Sequence, residues 1–471
     1  MDDATLGIDV GLTGARAAVL ARDGRVLGHA RVACRDMRLG PGRAEHDPAG
    51  WVAEATSAAH AAIDAAGVTG VDAITVTALG PAPLLVDRDL VPVTPALIFS
   101  LDRRAEPIRR GLADELGLGE ADLSSDHCVP KLLWWREHAP EIWSRASLAM
   151  DATGFIVASL IGKPVMDTIT ACDYQAPGLT SPIALPDPQE PRAVGGGLTA
   201  AAAAAMGLSI GTPVTVGTYD SHIDLARLGA HGPDGAVILM GSTLIAAQVV
   251  DAGFSGPLDQ GLRTTRLAGG ELAVGGWTST AGMALDWCAA MLGLPPGELL
   301  AEVATLSPGA GGMLALPYLA GERAPWWDPS ARGAILGLTL RTTAAEVYRC
   351  VLDAVALSAR DLTERMAGEV PPPDRWRVGG GAVRNAVWLQ ATCDAVGKPF
   401  DVVEEPAGVA AAAFAQSARG QEPAPPTTRP LVADKERSAR FTTLFHMYRT
   451  LYPALAETMH LLARLENEED A

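Results

Sequence analysis

The chain has 471 residues, 48% hydrophobic and 20% charged, the balance of a globular protein with room for two or three domains. Its 37 basic against 55 acidic residues leave a formal charge of −18, which disfavours nucleic acid or an anionic membrane as main partner. A nucleotide substrate stays open, because a local loop and a magnesium ion can hold phosphates on an acidic protein.

The start, Met1 to Thr5, is acidic and has neither the basic region nor the apolar core of a signal peptide. Leu6–Val10 predicts a strand, Gly11-Leu-Thr-Gly14 a glycine turn, and Ala15–Leu20 a second strand; a third around Val26–Val32 completes an antiparallel meander. Asp47 and Pro48 supply an N-cap and a first-turn proline. Trp51, Ala55, Ala58, Ala59 and Ala62 then form a helical stripe that runs up to Gly67. Strands near Ala73–Thr77 and Leu84–Val86 precede helices around Arg103–Leu116 and Pro130–His138. Pro177 to Gly197 is expected to be loop, with an alanine helix after it.

The opening theme then recurs. Pro213–Gly217 and Ala236–Met240 read as strands, the second running through Gly241-Ser-Thr243 into another. A long helix (Thr343–Met366), a Gly379-Gly-Gly381 turn, a helix (Asn385–Val396) and a strand (Phe400–Val403) follow, and Pro423–Pro430 reads as a surface linker before the last helix. Strands alternating with helices imply an α/β fold with a boundary near residue 230, giving domains 1–232 and 233–471. No apolar run reaches the roughly 18 residues of a spanning helix. The six cysteines, Cys34, Cys128, Cys172, Cys288, Cys350 and Cys393, include no CxxC pair. They read as buried thiols of a reducing, cytoplasmic compartment, and neither as a disulfide frame nor as a zinc site.

Five segments carry candidate chemistry. In Asp9-Val-Gly11-Leu-Thr13-Gly14-Ala-Arg16, a tight turn exposes successive backbone N–H groups to phosphate oxygens. Thr13 adds a hydroxyl, Arg16 a positive charge, and Asp9 a carboxylate for magnesium through water; a plain hairpin with a buried aspartate fits the same residues. Gly241-Ser242-Thr243 repeats that logic after its own strand, and alone reads as a turn. Gly379-Gly380-Gly381 lets backbone lie close to a flat ligand, or marks a tight strand–helix turn. Asp220, in Gly217-Thr-Tyr-Asp-Ser-His222, is either a helix N-cap or a general base for an attacking hydroxyl. Leu319 to Gly333 packs charges around Trp326 and Trp327, the composition of an ordered loop.

Together these segments resemble the FGGY carbohydrate kinases, the family of xylulokinase and glycerol kinase, over nearly the whole length. Gly7-Ile-Asp-Val-Gly11-Leu-Thr13 is similar to the family's first phosphate loop. Pro130-Lys-Leu-Leu-Trp134, then Ala139-Pro-Glu-Ile-Trp143 and Asp151, resembles its first-domain signature. Gly321-Glu-Arg-Ala-Pro325 through Arg332-Gly333 and Gly337-Leu-Thr339 resembles the second-domain signature, and Gly379–Ala382 with Trp388-Leu-Gln390 and Asp394 the adenosine region.

The resemblance implies two ribonuclease-H-like domains of the actin-like ATPase type with a central cleft. It implies Asp220 as catalytic base, Asp9 at the metal, and Thr13, Arg16, Gly241, Ser242, Thr243, Gly282, Asp286, Gly381 and Asn385 on ATP. The cofactors implied are ATP and Mg²⁺, the partner a sugar or polyol, and the expected assembly a homodimer. Two stretches depart from the family: Ile98-Phe-Ser-Leu, without the usual tryptophan, precedes Asp102-Arg-Arg-Ala105, and the acceptor loop is rewritten. Where xylulokinases carry Gly-Gln-Met-His-Gly and glycerol kinases Gln-Arg-Glu, this chain has Ala78-Leu-Gly-Pro-Ala-Pro83, without a polar side chain. Asp126, His127, Ser221 and His222 are therefore the expected acceptor contacts, and D-xylulose and glycerol the doubtful acceptors. A catalytically silent nucleotide-binding regulator on this fold, and a filament-forming actin-like protein, are the competing readings.

Overall fold

The computed structural model describes residues 3–469 apart from 35–36, 41, 120–121, 230–234, 256–257, 260 and 294–295. The chain divides into two compact units: Met1–Arg227 with Leu267–Gly269 and Glu405–Pro426, and Leu228–Arg266 with Gly270–Glu404 and Thr427–Ala471. The expected boundary between residues 232 and 233 lies outside the described residues. Glu405–Pro426, expected in the second half, belongs to the first unit.

The first unit is built on β1 (Ala4–Gly11), β2 (Gly14–Ala21), β3 (Val26–Ala33), β4 (Ala73–Ala78), β5 (Val194–Gly197) and β6 (Pro213–Thr215), in the order β5-β6-β4-β1-β2-β3. The meander is antiparallel, as its two tight turns require, whereas β4 pairs parallel to β1 and β6 parallel to β4. Alternation along β2 separates two packing layers. Ala17 and Val19 join the core that holds Trp51, while Ala18 and Leu20 meet Val409, Ala412 and Ala413.

On the first face lies the helix Pro48–Ala66, begun by Asp47, whose carboxylate accepts the Ala49 N–H at 3.0 Å, and ended by Gly67 at φ 63°. On the other lies Val409–Ala418, which explains why this late segment joins the first unit. A Cβ at Gly7 would overlap the Gly408 carbonyl oxygen and the Ala412 nitrogen, so only glycine lets this helix approach. Thr5 Oγ1 donates to the Ala412 carbonyl at 2.8 Å.

The second unit repeats the plan. Its strands are β7 (Ala236–Met240), β8 (Leu244–Val250), β9 (Arg263–Arg266), β10 (Leu272–Trp277), β11 (Trp376–Gly379), β12 (Phe400–Val403) and β13 (Thr428–Leu431). They run in the order β9-β10-β8-β7-β11-β12-β13. As in the first unit, an antiparallel hairpin (β7–β8) is flanked by strands added parallel to its first member (β11, β12). The helix Ala344–Glu369 crosses the core behind a capping box of Thr343 and Glu346.

Three further expectations change. Thr428–Leu431, inside the expected linker, is an edge strand, a place where Pro430 removes no needed N–H donor. Val194–Gly197 is likewise a strand within the expected loop. Cys172 is exposed and Cys34 half-buried, so those two are not core thiols. No helix among the described residues is long and apolar enough to cross a membrane.

The fit at Gly7 gives the first prediction. Gly7→Ala should lower stability by about 1–3 kcal/mol through overpacking, read as a smaller denaturation midpoint in urea. A midpoint equal to the wild type would mean that the helix Val409–Ala418 is not seated on β1 as described.

Candidate functional site

In the first unit, Asp9 lies opposite Thr77 and Val10 opposite Ala78 in the parallel β1–β4 pair, and Ala78 bridges to Tyr219. Three chain segments therefore reach the same carboxyl edge of the sheet, carrying Asp9, the loop from Ala78 and Asp220. In parallel α/β sheets that edge is where ligands bind.

Arg16, opposite Asp9 in the hairpin, holds the Asp9 carboxylate at 3.4 Å and donates to Thr13 Oγ1 at 2.7 Å. Asp220 begins the helix Asp220–Arg227 and accepts the Ser221 N–H at 2.6 Å. Burial and the Asp9 charge push the Asp220 carboxyl up to about 7, against the opposing pull of the Ser221 N–H and Arg16. Burial also raises Asp9, with Arg16 opposing.

One turn further along the same helix stands Asp224, which sequence reasoning missed. Burial raises it well above the ordinary carboxylate range, and the charges of Asp9 and Asp220 raise it further. The i, i+4 spacing from Asp220 was its signal in the sequence. Three carboxylates thus share one guanidinium.

A second acidic group lies behind the loop from Ala78. Tyr219 donates its hydroxyl to Asp173 at 2.9 Å, and burial drives the Asp173 carboxyl up to about 7, helped by the charges of Asp126 and Asp167. Asp126 and His127 immediately precede the helix Cys128–His138. His127 Nδ1 accepts the Ser124 N–H at 3.0 Å, and burial lowers the ring's pKa. The neutral ring therefore carries its proton on Nε2, ready to donate to an oxygen. His222 lies tilted against Tyr219, with ring centroids 6.2 Å apart.

The loop from Ala78 to Pro83 is largely buried, and the Tyr219 ring occupies the space a side chain at Gly80 would need. Residues of the Pro130–Asp151 region brace it. Buried Lys131 donates to the Phe99 carbonyl at 2.7 Å, Phe99 N–H donates to the Pro81 carbonyl at 2.9 Å, and Asp151 accepts the Ala82 N–H at 2.7 Å. Burial pushes Asp151 up to about 8.

In the second unit the glycine turns converge. The Gly282 N–H donates to the Gly241 carbonyl at 3.0 Å, and the Ala281 and Met283 N–H groups donate to the Ser242 carbonyl. A Cβ at Gly282 would press on the Gly241 oxygen, and one at Gly380 would overlap the Met240 carbonyl. Gly241–Thr243, Gly282 and the Gly380–Gly381 turn therefore gather at the end of β7 and β11. Gly381 itself is exposed with room around it.

Asp286 is exposed on the helix Gly282–Leu292, its carboxyl raised by partial burial. Asn385 caps Ala386–Val396 by accepting the Trp388 N–H at 3.1 Å, which leaves its amide NH₂ for other contacts. The tryptophan-rich segment is ordered, as expected. Trp326 stacks on Tyr452 at 4.5 Å, Trp327 meets Trp277 edge-on, and Glu322 accepts the Ser279 N–H at 2.6 Å.

Comparison with known proteins gives concordant matches. Residues 4–176 match the N-terminal domain and residues 237–417 the C-terminal domain of the FGGY family of carbohydrate kinases. A glycerol kinase of Aromatoleum aromaticum is 27% identical over 426 residues, covering 84% of this chain and 85% of its own. A xylulose kinase of Lactococcus lactis is 26% identical over 428 residues, covering 82% and 83%. The crystal structure of xylulose kinase from Rhodospirillum rubrum superposes with a TM-score of 0.79 at 25% identity, over 97% of this chain and 100% of that one.

The buried carboxyls predict a pH effect. Asp151 and Asp173 hold protons to about 8 and about 7 when folded, but release them near the ordinary carboxylate value when unfolded. The folded state then binds more protons between those limits, so stability present below about 4 is lost as pH rises through 7 to 8. Asp151→Asn should flatten this decline in the thermal midpoint measured from pH 5 to 8. A variant with the wild-type slope would count against a protonated Asp151.

Proposed function

The chain belongs to the FGGY family of carbohydrate kinases, and we propose that Asp220 is the base with which it phosphorylates a sugar or polyol hydroxyl from ATP. One observation carries this reading. A carboxyl held near 7, on the edge shared by Asp9 and the loop from Ala78, is matched to accepting a hydroxyl proton at neutral pH.

The rest of the set follows from what phosphoryl transfer needs, which is positioning and charge neutralisation. Thr13 and Arg16 take phosphate oxygens from the first unit. In the second, Ser242 and Thr243 take phosphate at the turn that Gly241 opens, while Gly282, Asp286, Gly381 and the Asn385 amide take the remainder of ATP. The mutually repelling carboxylates of Asp9, Asp220 and Asp224 suit a hard divalent cation with oxygen ligands. Asp9 and Asp224 are the residues that would hold Mg²⁺, which when bound supplies positive charge to the phosphates.

For the acceptor, we read Asp126, His127, Ser221 and His222 as the polar contacts, with His127 donating from Nε2. Tyr219, ring against Gly80 and hydroxyl on Asp173, adds polarity beside an apolar loop. An apolar wall desolvates a hydroxyl without return, so an acceptor other than D-xylulose or glycerol, with a less polar end, fits best.

Two variants test the assignment. Asp220→Asn keeps the shape but cannot take the proton, so kcat should fall by about 10² or more while ATP binding survives. The wild-type rate should rise with pH as Asp220 ionises, with a midpoint below about 7 once Mg²⁺ offsets the Asp9 charge. Near-normal turnover in the variant would reduce Asp220 to a helix-start residue. Gly381→Leu meets open space, so it should weaken ATP binding without lowering the thermal midpoint. Unchanged nucleotide affinity would remove Gly381 from the adenosine surface.

A further inference from the structure

Away from the carboxylate edge, three elements of the first unit bring together a mixed donor set. Among the described residues, Cys34 Sγ, a His46 ring nitrogen and a Glu54 carboxylate oxygen all lie within 4.8 Å of one another. Cys34 follows β3, His46 ends the short strand Arg43–His46, and Glu54 lies in the first two turns of Pro48–Ala66. His46 and Glu54 are buried and Cys34 is half-buried.

The imidazole is oriented as a ligand's would be. His46 Nδ1 lies 2.8 Å from the Asp47 carbonyl oxygen, which can only accept, so Nδ1 carries the proton. Nε2 then presents its lone pair toward Cys34 Sγ, 3.2 Å away. An outer carbonyl that fixes the tautomer is the usual support of a metal-bound histidine. That carbonyl is itself held, since it also accepts the Gly50 N–H at 3.0 Å in the first helical turn. Trp51 stacks on the ring at 4.7 Å and 14°, fixing its plane.

We propose that Cys34, His46 and Glu54 bind a zinc-class divalent cation, with a fourth position taken by water. Thiolate, imidazole and carboxylate form a borderline-soft set that suits Zn²⁺ or Co²⁺. Magnesium avoids the thiolate, and copper(I) has little use for the carboxylate. Within the ligand set, a thiolate and a carboxylate match the +2 of the ion. Binding replaces the Cys34 thiol proton by a metal–sulfur bond, and that proton leaves to solvent. The ion is a fastener for the first phosphate hairpin. The Cys34 N–H donates to the Thr13 carbonyl at 3.1 Å, so the site ties the end of β3 and the helix Pro48–Ala66 to that turn.

The test uses the full chain stripped of metal with a chelator and titrated with Co²⁺. One equivalent should produce a near-ultraviolet thiolate-to-cobalt charge-transfer band that Zn²⁺ abolishes, with proton release to a weakly buffered solution. Cys34→Ser should lose the band, whereas Cys172→Ser, at the exposed thiol, should keep it. Glu54→Gln, which preserves shape, should weaken zinc affinity about tenfold or more, and decides the matter if Cys34→Ser does not fold. A wild-type chain that takes up no cobalt, a band that survives Cys34→Ser, or zinc affinity unchanged in Glu54→Gln would overturn the proposal.

Discussion

Asp9 opposite Thr77, Val10 opposite Ala78, and Ala78 bridged to Tyr219 form one register, on which the geometry of the first unit depends. A parallel ladder brings the ends of its strands to one edge, and that edge here receives Asp9, the loop from Ala78 and the start of the helix Asp220–Arg227. A slip of one residue would turn Asp9 toward the opposite layer. The packing of Val409–Ala418 against Gly7 protects this register, because the helix is seated on the strand that carries Asp9.

Charge is concentrated on that edge beyond what the protein itself neutralises. Burial raises the carboxyl pKa values of Asp9, Asp220 and Asp224, the Asp9 charge adds to the rise at Asp220 and Asp224, and Arg16 opposes it at all three. Such a group is poised to gain from a cation, and burial together with the Asp9 charge leaves Asp220 basic enough to take a proton near neutrality. Behind it, Asp151 and Asp173 are buried for a different purpose. Asp151 fixes the Ala82 N–H and Asp173 fixes the Tyr219 hydroxyl, so these acids hold the loop and the ring that packs against it at Gly80.

The two units share a plan and divide its chemistry. Each has an antiparallel hairpin whose first strand pairs with a parallel neighbour, and each ends that first strand in a glycine-containing turn. In the first unit the turn lies beside acids and an arginine. In the second it is surrounded by backbone, with Gly282 and Gly380 packed so close that side chains are excluded. The Gly241, Ala281, Gly282 and Met283 N–H groups there close the turn on its own carbonyls, whereas the acids of the first unit offer oxygen to a proton or a cation.

Features set by contiguous residues were legible in the sequence. The β1–β2 hairpin, the Asp47 cap with Pro48 and the strand Phe400–Val403 all follow from local rules of turn, cap and alternation. The ordered motifs likewise pointed to the family matched at residues 4–176 and 237–417. Tertiary structure decided what depends on residues far apart. It placed Val409–Ala418 in the first unit and made Thr428–Leu431 an edge strand, because sheet faces and edges are filled by whatever segment returns to them. It joined Tyr219 to Asp173, and Cys34 to His46 and Glu54, across loops that carry no local signal. Burial likewise raised Asp151, Asp173 and Asp220, since the desolvation that shifts a carboxyl comes from neighbours brought by the fold.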